Sequence, residues 1–189
     1  MLKYFKKIKS QENKLYSKIL YLSRNKLFYT KLNLNDTFQN RINLIFLHIS
    51  FLFIKIKQNN VSQYYKDFYQ KMFDFTFKKI ELNMREIGYG DTQVNKNMKF
   101  LVKSFYNILL KCENYNKKNL EHKKLFLYEY LTSDNNEKNT GNIGLVEYFD
   151  KYQTFCVDLS LDNVLKGDLN FSYKWVFKNG STEKKNIKI

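Results

Sequence analysis

Arg85, Glu86 and Asp91 lie within seven residues of one another, on either side of Gly88 and Gly90. The chain has only six glycines in 189 residues, and these two stand two positions apart between stretches of helical spacing. Glycines so placed predict a backbone corner. Gly88 would close one helix in the left-handed conformation and Gly90 would let the chain turn back. Asp91 would then favour the positive end of the following helix, with Lys96 and Lys99 on one face beside Arg85 and Glu86. The chemistry on offer is charge-assisted hydrogen bonding rather than bond cleavage. Two readings follow: a polar, partly basic patch presented to a partner, or a capped helical hairpin with Arg85 tied to a nearby carboxylate.

No catalytic constellation stands beside this corner. It lacks the third glycine and the preceding strand of a phosphate-binding loop, and no Ser, Cys or Thr sits in a nucleophile elbow. His48, on an apolar segment, reads as a hydrogen-bonded core residue, and His122, among lysines, as solvated. Cys112 and Cys156 have no motif around them and read as reduced thiols. Two Cys and two His at these spacings do not compose a zinc site. The expectation is a protein without cofactor, metal or enzymatic activity.

The balance of 33 basic to 18 acidic residues gives a net charge of +15 and an isoelectric point near 9.6. Such a charge attracts anionic surfaces, whether ribosome, nucleic acid or lipid headgroups, without specifying any of them. Abundant Lys, Asn, Ile, Phe and Tyr with no proline reflect an AT-rich genome, bacterial or organellar, more than a structural demand. Against that background the three arginines, Arg24, Arg41 and Arg85, stand out. Arg supplies a planar five-donor fork that Lys lacks, which predicts buried or interfacial roles for Arg41 and Arg85.

The elements that must position these residues are helices. Apolar residues recur at steps of three and four over about 11–27, 37–57, 62–87, 94–115, 120–131 and 145–159. Asp36 or Thr37 is placed to cap the second. Ile42 to Ile56 is apolar nearly all round and Tyr64 to Phe77 is aromatic on several sides. One of them is expected to be a central helix, and an apolar groove receiving a partner segment is the other outcome considered. Ser133 to Asn142 reads as an exposed loop, and Leu169 to Phe177 alternates like a short strand or extended arm. The sum is an all-α, single-domain helical bundle of about six helices: a basic tail over 1–10, a helical domain over 11–165, and an extended arm and frayed tail over 166–189. Met1 to Ser10 is basic but no long apolar core follows, so it does not read as a secretory signal. The most apolar run, Ile42 to Ile54, is interrupted by Asn43, His48 and Ser50 and falls short of the roughly 20 residues a membrane span needs. A soluble or peripheral protein is expected.

Ile80-Glu81-Leu82-Asn83-Met84-Arg85-Glu86-Ile87-Gly88-Tyr89-Gly90-Asp91, then Val94-Asn95-Lys96, Met98-Lys99 and Phe105-Tyr106, resembles the signature of the ubiquinol–cytochrome c chaperone family. There a helix ending in Leu-Arg-Glu-(hydrophobic)-Gly-Val-Gly-Asp is followed by a Val-x-Lys start to the next helix and a Phe-Tyr-Gly-Arg. Upstream, Tyr16 to Arg24, Phe28-Tyr29, Asn35-Asp36-Thr37, Arg41, Leu47-His48 and Tyr69 to Phe73 follow in matching order. Two departures stand out: Tyr106 is followed by Asn107-Ile108 rather than Gly-Arg, and Phe77-Lys78-Lys79 replaces an acidic pair.

The resemblance implies a non-enzymatic assembly factor for the cytochrome bc1 complex that binds newly made cytochrome b near the ribosome and the inner membrane. In a bacterium it would work on the cytoplasmic face of that membrane; in a mitochondrion, on the matrix side. It further implies partner contacts at Arg41, His48, Arg85, Glu86, Gly88, Gly90, Asp91, Lys96, Lys99, Phe105 and Tyr106. The client would be cytochrome b. A ribosome or a small assembly-partner protein, and peripheral contact with an anionic membrane surface, would complete the set, with no DNA. The competing reading is a basic helical RNA- or ribosome-binding protein. Against it, the basic residues are spread along every helix and no RNA-binding motif appears.

Overall fold

The computed structural model describes residues 10–58, 63–131 and 143–173. They form α1 (Gln11–Ser23), α2 (Leu27–Thr30), α3 (Phe38–Gln58), α4 (Gln63–Glu86), α5 (Asp91–Glu113), a 3-10 turn (Tyr115–Lys117), α6 (Leu120–Tyr130), α7 (Ile143–Asp158) and α8 (Leu161–Lys166). Among the described residues there is no strand, and the fold is all-α, as expected. The loop Ser133 to Asn142, the tail before Ser10 and everything after Tyr173 lie outside the described residues.

The first expected helix divides in two. α1 stops at Ser23, and the Asn25 side chain accepts a hydrogen bond from the Leu27 amide at 3.0 Å, a local turn that competes with helix continuation. α2 then occupies only four residues. α3 begins where Thr37 Oγ1 accepts the Asn40 amide at 3.2 Å, so Thr37, not Asp36, is its cap. A short helix absent from the sequence expectation, α8, starts at Ser160, whose side chain accepts the Asn163 amide, and ends at Gly167 in the left-handed conformation with φ +70°.

α3 is the central helix. α1, α4, α5, α7 and α8 all pack on it, and Leu44, Phe46, Leu47 and His48 have no accessible surface. Its all-round apolar character is therefore spent inside the bundle. The α3 and α4 pair does not form an open apolar groove.

His48 is enclosed between α3 and α7. Its Nδ1 lies 2.6 Å from the Leu44 carbonyl oxygen and its Nε2 lies 2.7 Å from the Tyr148 hydroxyl. A carbonyl only accepts, so Nδ1 carries the proton, and the Tyr148 hydroxyl donates to Nε2. Burial depresses the imidazole pKa to about 4, which keeps the ring neutral.

Beyond α8 the chain is extended, and Leu169, Phe171 and Tyr173 turn alternately into the core while Asn170 and Ser172 face solvent. Phe171 packs against the rings of Tyr148, Tyr152 and Phe155 at 5.1–5.6 Å. The alternation anticipated from Leu169 onward is thus an arm without a strand partner among the described residues.

Candidate functional site

α4 ends in two backbone bonds that define its turn. The Gly88 amide donates to the Arg85 carbonyl and the Tyr89 amide to the Met84 carbonyl, both at 3.0 Å. With Gly88 at φ +95°, this is a Schellman closure, which requires a residue at ease in the left-handed region. Gly90 differs from expectation. It is the N-cap of α5 at φ −70°, ψ 162°, a conformation open to any residue, and a Cβ there would meet nothing within 4 Å. The corner needs one glycine, not two.

Arg85 spans the corner. Its Nε and Nη2 donate to Glu81 Oε1 at 3.0 and 2.9 Å, and its Nη1 donates to Asp91 Oδ1 across the turn. Asp91 opens α5 where the helix N-terminus favours a carboxylate. The hydrogen bonds it donates to Asp91 and Glu81 hold the guanidinium pKa above its usual value. Of the buried or interfacial role expected for Arg85, burial does not occur: its side chain keeps 41% of its surface. Around this clasp Leu82, Ile87 and Tyr89 are exposed, Ile87 by 59%. Glu86 is exposed as well.

The corner also stands clear of the central helix. Phe46 and Phe105 rings meet at 5.2 Å and Lys57 pairs with Glu113 at 2.6 Å, so α3 and α5 run parallel. Every residue from Arg85 to Gln93 is exposed, and Val94 is the first residue of α5 to be buried.

The remaining expected site residues are dispersed. Lys96 and Lys99 are exposed on α5 just beyond the corner. Tyr106 is half-exposed, its ring 5.8 Å from Phe73. Phe105 is a core residue, ringed by Phe46, Phe53, Phe73 and Phe77 at 5.2–5.9 Å. Like His48 it has essentially no accessible surface, so neither can touch a partner in the folded protein.

Arg41 belongs to the start of α3. Its Nε and Nη2 grip the two oxygens of Asp36 at 2.6 and 2.8 Å, and its guanidinium lies 5.7 Å from the centre of the Tyr29 ring. The fork is used as the scarcity of Arg predicted, but at the surface. Hydrogen bonding from Arg41 lowers the Asp36 pKa.

Two surface hollows flank α5. One, of about 410 Å³, is lined by Asn43, Phe100, Lys103, Asn107 and Tyr130 among others. The second, of about 580 Å³, lies between the end of α5 and α6 and carries Lys111, Lys117, Lys118, His122 and Leu125. Both are shallow and open. Sequence reasoning followed the inner stripe of α5 and missed its outer residues Phe100, Lys103 and Leu110. The available signal was the absence of any Asp or Glu from Thr92 to Cys112.

No helix among the described residues is long and apolar enough to cross a membrane, and none of the described His, Cys, Asp and Glu residues cluster as metal ligands. Fold and site together define an α-helical bundle whose distinctive feature is an exposed, charge-clasped hairpin. The chain belongs to the ubiquinol-cytochrome C chaperone family, whose profile matches residues 30–169. No curated protein matches it individually. Its backbone is similar to the crystal structure of the Cbp3 homolog from Brucella abortus, with a TM-score of 0.71 and 23% sequence identity over 84% of this chain and 87% of that one. At that identity the likeness speaks for the fold.

Proposed function

We propose that this protein is a non-enzymatic assembly chaperone for the cytochrome bc1 complex, with newly made cytochrome b as its client. It would work at the inner membrane, on the cytoplasmic face in a bacterium or the matrix side in a mitochondrion. The observation that carries this reading is the family match over 30–169, which takes in the exposed α4–α5 corner whole. The corner offers what a protein partner reads: exposed Ile87, Tyr89 and Leu82 beside Arg85, Glu86 and Asp91. Apolar side chains would supply contact area, and the clasped charges would fix register. His48 and Phe105 are core residues and are not part of this surface. Affinity capture from membranes tests the reading. Cytochrome b should co-purify with the native chain, and bc1 complex should fall when the protein is deleted. Unchanged bc1 levels in the deletion strain, with no cytochrome b captured, would refute it.

A further inference from the structure

Viewed down its axis, the outward side of α5 is chemically one-sided. At 100° per residue, Lys96, Lys99, Lys103, Phe100, Tyr106 and Leu110 fall within a sector of about 120°. All six are exposed, Phe100 by 60% and Leu110 by 61%. No carboxylate occurs in the helix between Asp91 and Glu113. Lys57, Lys111, Lys123 and Lys124 each pair with an acid, whereas Lys96, Lys99 and Lys103 take no part in the ion pairs among the described residues. The opposite bias appears in residues 143–173, where five carboxylates face two lysines. α8 in that region packs on α1 and α3. The outward side of α5 is thus poor in acid, with Glu129 of α6, which pairs with Lys111 and shares a hollow with Phe100 and Lys103, at its edge.

We propose that this face of α5 seats the protein on an anionic lipid bilayer. The lysine stems can extend so that their ammonium groups reach headgroup phosphates, while Phe100 and Leu110 enter the headgroup–acyl boundary. Charge complementarity and shape select this occupant. Phe100 and Leu110 stand about 15 Å apart along the helix, and the hollow beside Phe100 is shallow and open, which suits a deformable layer better than a fixed pocket. Phe100 and Tyr106 could stack on bases, but the face contains no arginine and its aliphatic Leu110 adds nothing to stacking while it suits the acyl boundary, which favours lipid over nucleic acid. The inference supplies a contact surface for the membrane-side work proposed above and rests on that reading for its setting.

Co-sedimentation with phosphatidylcholine vesicles, with and without phosphatidylglycerol, tests it using the full chain. The native protein should bind only the phosphatidylglycerol vesicles. Lys96→Glu/Lys99→Glu/Lys103→Glu should weaken binding roughly tenfold or more. Phe100→Ser/Leu110→Ser, with charge unchanged, should weaken it several-fold, and by the same factor at raised salt. Lys66→Glu/Lys71→Glu/Lys78→Glu on α4 changes net charge equally and should leave most binding intact. All variants alter exposed positions, and circular dichroism checks their fold.

Equal losses in the α4 and α5 triple variants would overturn the proposal, as would a triple α5 variant that binds like the native chain. So would a native protein that ignores anionic vesicles, including one whose α5 face binds homopolymer RNA or an acidic protein instead. Capture of cytochrome b in detergent by the α5 variant separates this failure from failure of the chaperone reading.

Discussion

Arg85, in the last turn of α4, donates a hydrogen bond to Asp91, the first residue of α5, and so ties two helices together across a turn closed by Gly88. The same guanidinium also holds Glu81 one turn back. Both carboxylates and the arginine keep substantial exposure, so solvent screens the pairs and they add little to stability. Arg85→Ala and Asp91→Ala should therefore melt within a few degrees of the native protein. If the corner receives the client, both should lower bc1 assembly in a complementation assay. Full complementation by both variants would assign the clasp to the turn alone.

Gly88 and Gly90 separate backbone need from partner need. Gly88→Ala places a Cβ at φ +95°, which costs about 1–2 kcal/mol and should show as a lower urea midpoint. Gly90→Ser meets open space and adds a cap side chain, worth a few tenths of a kcal/mol in its favour. Its stability should be equal or slightly higher. A Gly90→Ser protein that folds normally yet fails to support assembly would show that the second glycine serves close approach by another molecule.

His48 makes stability depend on pH. Its folded pKa of about 4 lies below the unfolded value of 6.5. Between those values the unfolded chain binds the additional proton, so the stabilisation is complete above about pH 6.5 and is lost as pH falls. From pH 7 to pH 4 the loss is roughly 3 kcal/mol. Urea unfolding at a series of pH values should show this slope, and His48→Gln, weaker at pH 7, should flatten it. Tyr148→Phe removes the donor to Nε2 and should cost about 1–3 kcal/mol. A native protein with equal stability at pH 7 and pH 4.5 would contradict this account.

Cys112 and Cys156 are both buried and unpaired to each other, and burial pushes both thiols far above their ordinary range. Thiolate is the reactive form. Neither should label with iodoacetamide at pH 8 in the folded protein, and both should label in denaturant. Rapid labelling of either in the native state would mean that α5 or α7 opens locally.

The central features were legible because periodicity reports them directly. α3 is apolar around nearly its whole circumference, and it occupies the middle of the bundle. His48 on that helix could be read as a satisfied core residue for the same reason. α2 was not legible, since four residues are too few to show a period. α8 carried its signals, a Ser160 cap, Asp162 in the first turn and Gly167 beyond the end, but six residues give periodicity too little to act on. For Arg41 and Arg85, residue scarcity foretold the bidentate or bridging fork. Of the buried or interfacial role expected with it, burial does not occur, because Asp36, Glu81 and Asp91 stand within six positions in sequence and satisfy both arginines locally at the surface. The outer face of α5 escaped notice because an amphipathic reading looks for the stripe that faces inward.

Gly167 allows α8 to lie directly on α1. A Cβ there would stand 2.9 Å from the Lys14 Cβ and 3.0 Å from the Leu15 backbone nitrogen. The first helical segment to be made is covered by a turn more than 150 residues later in the chain. During synthesis the apolar side of α1 thus stays uncovered by its last neighbour until the ribosome has released Gly167. Closure of this bundle is a late event, set by translation as much as by packing.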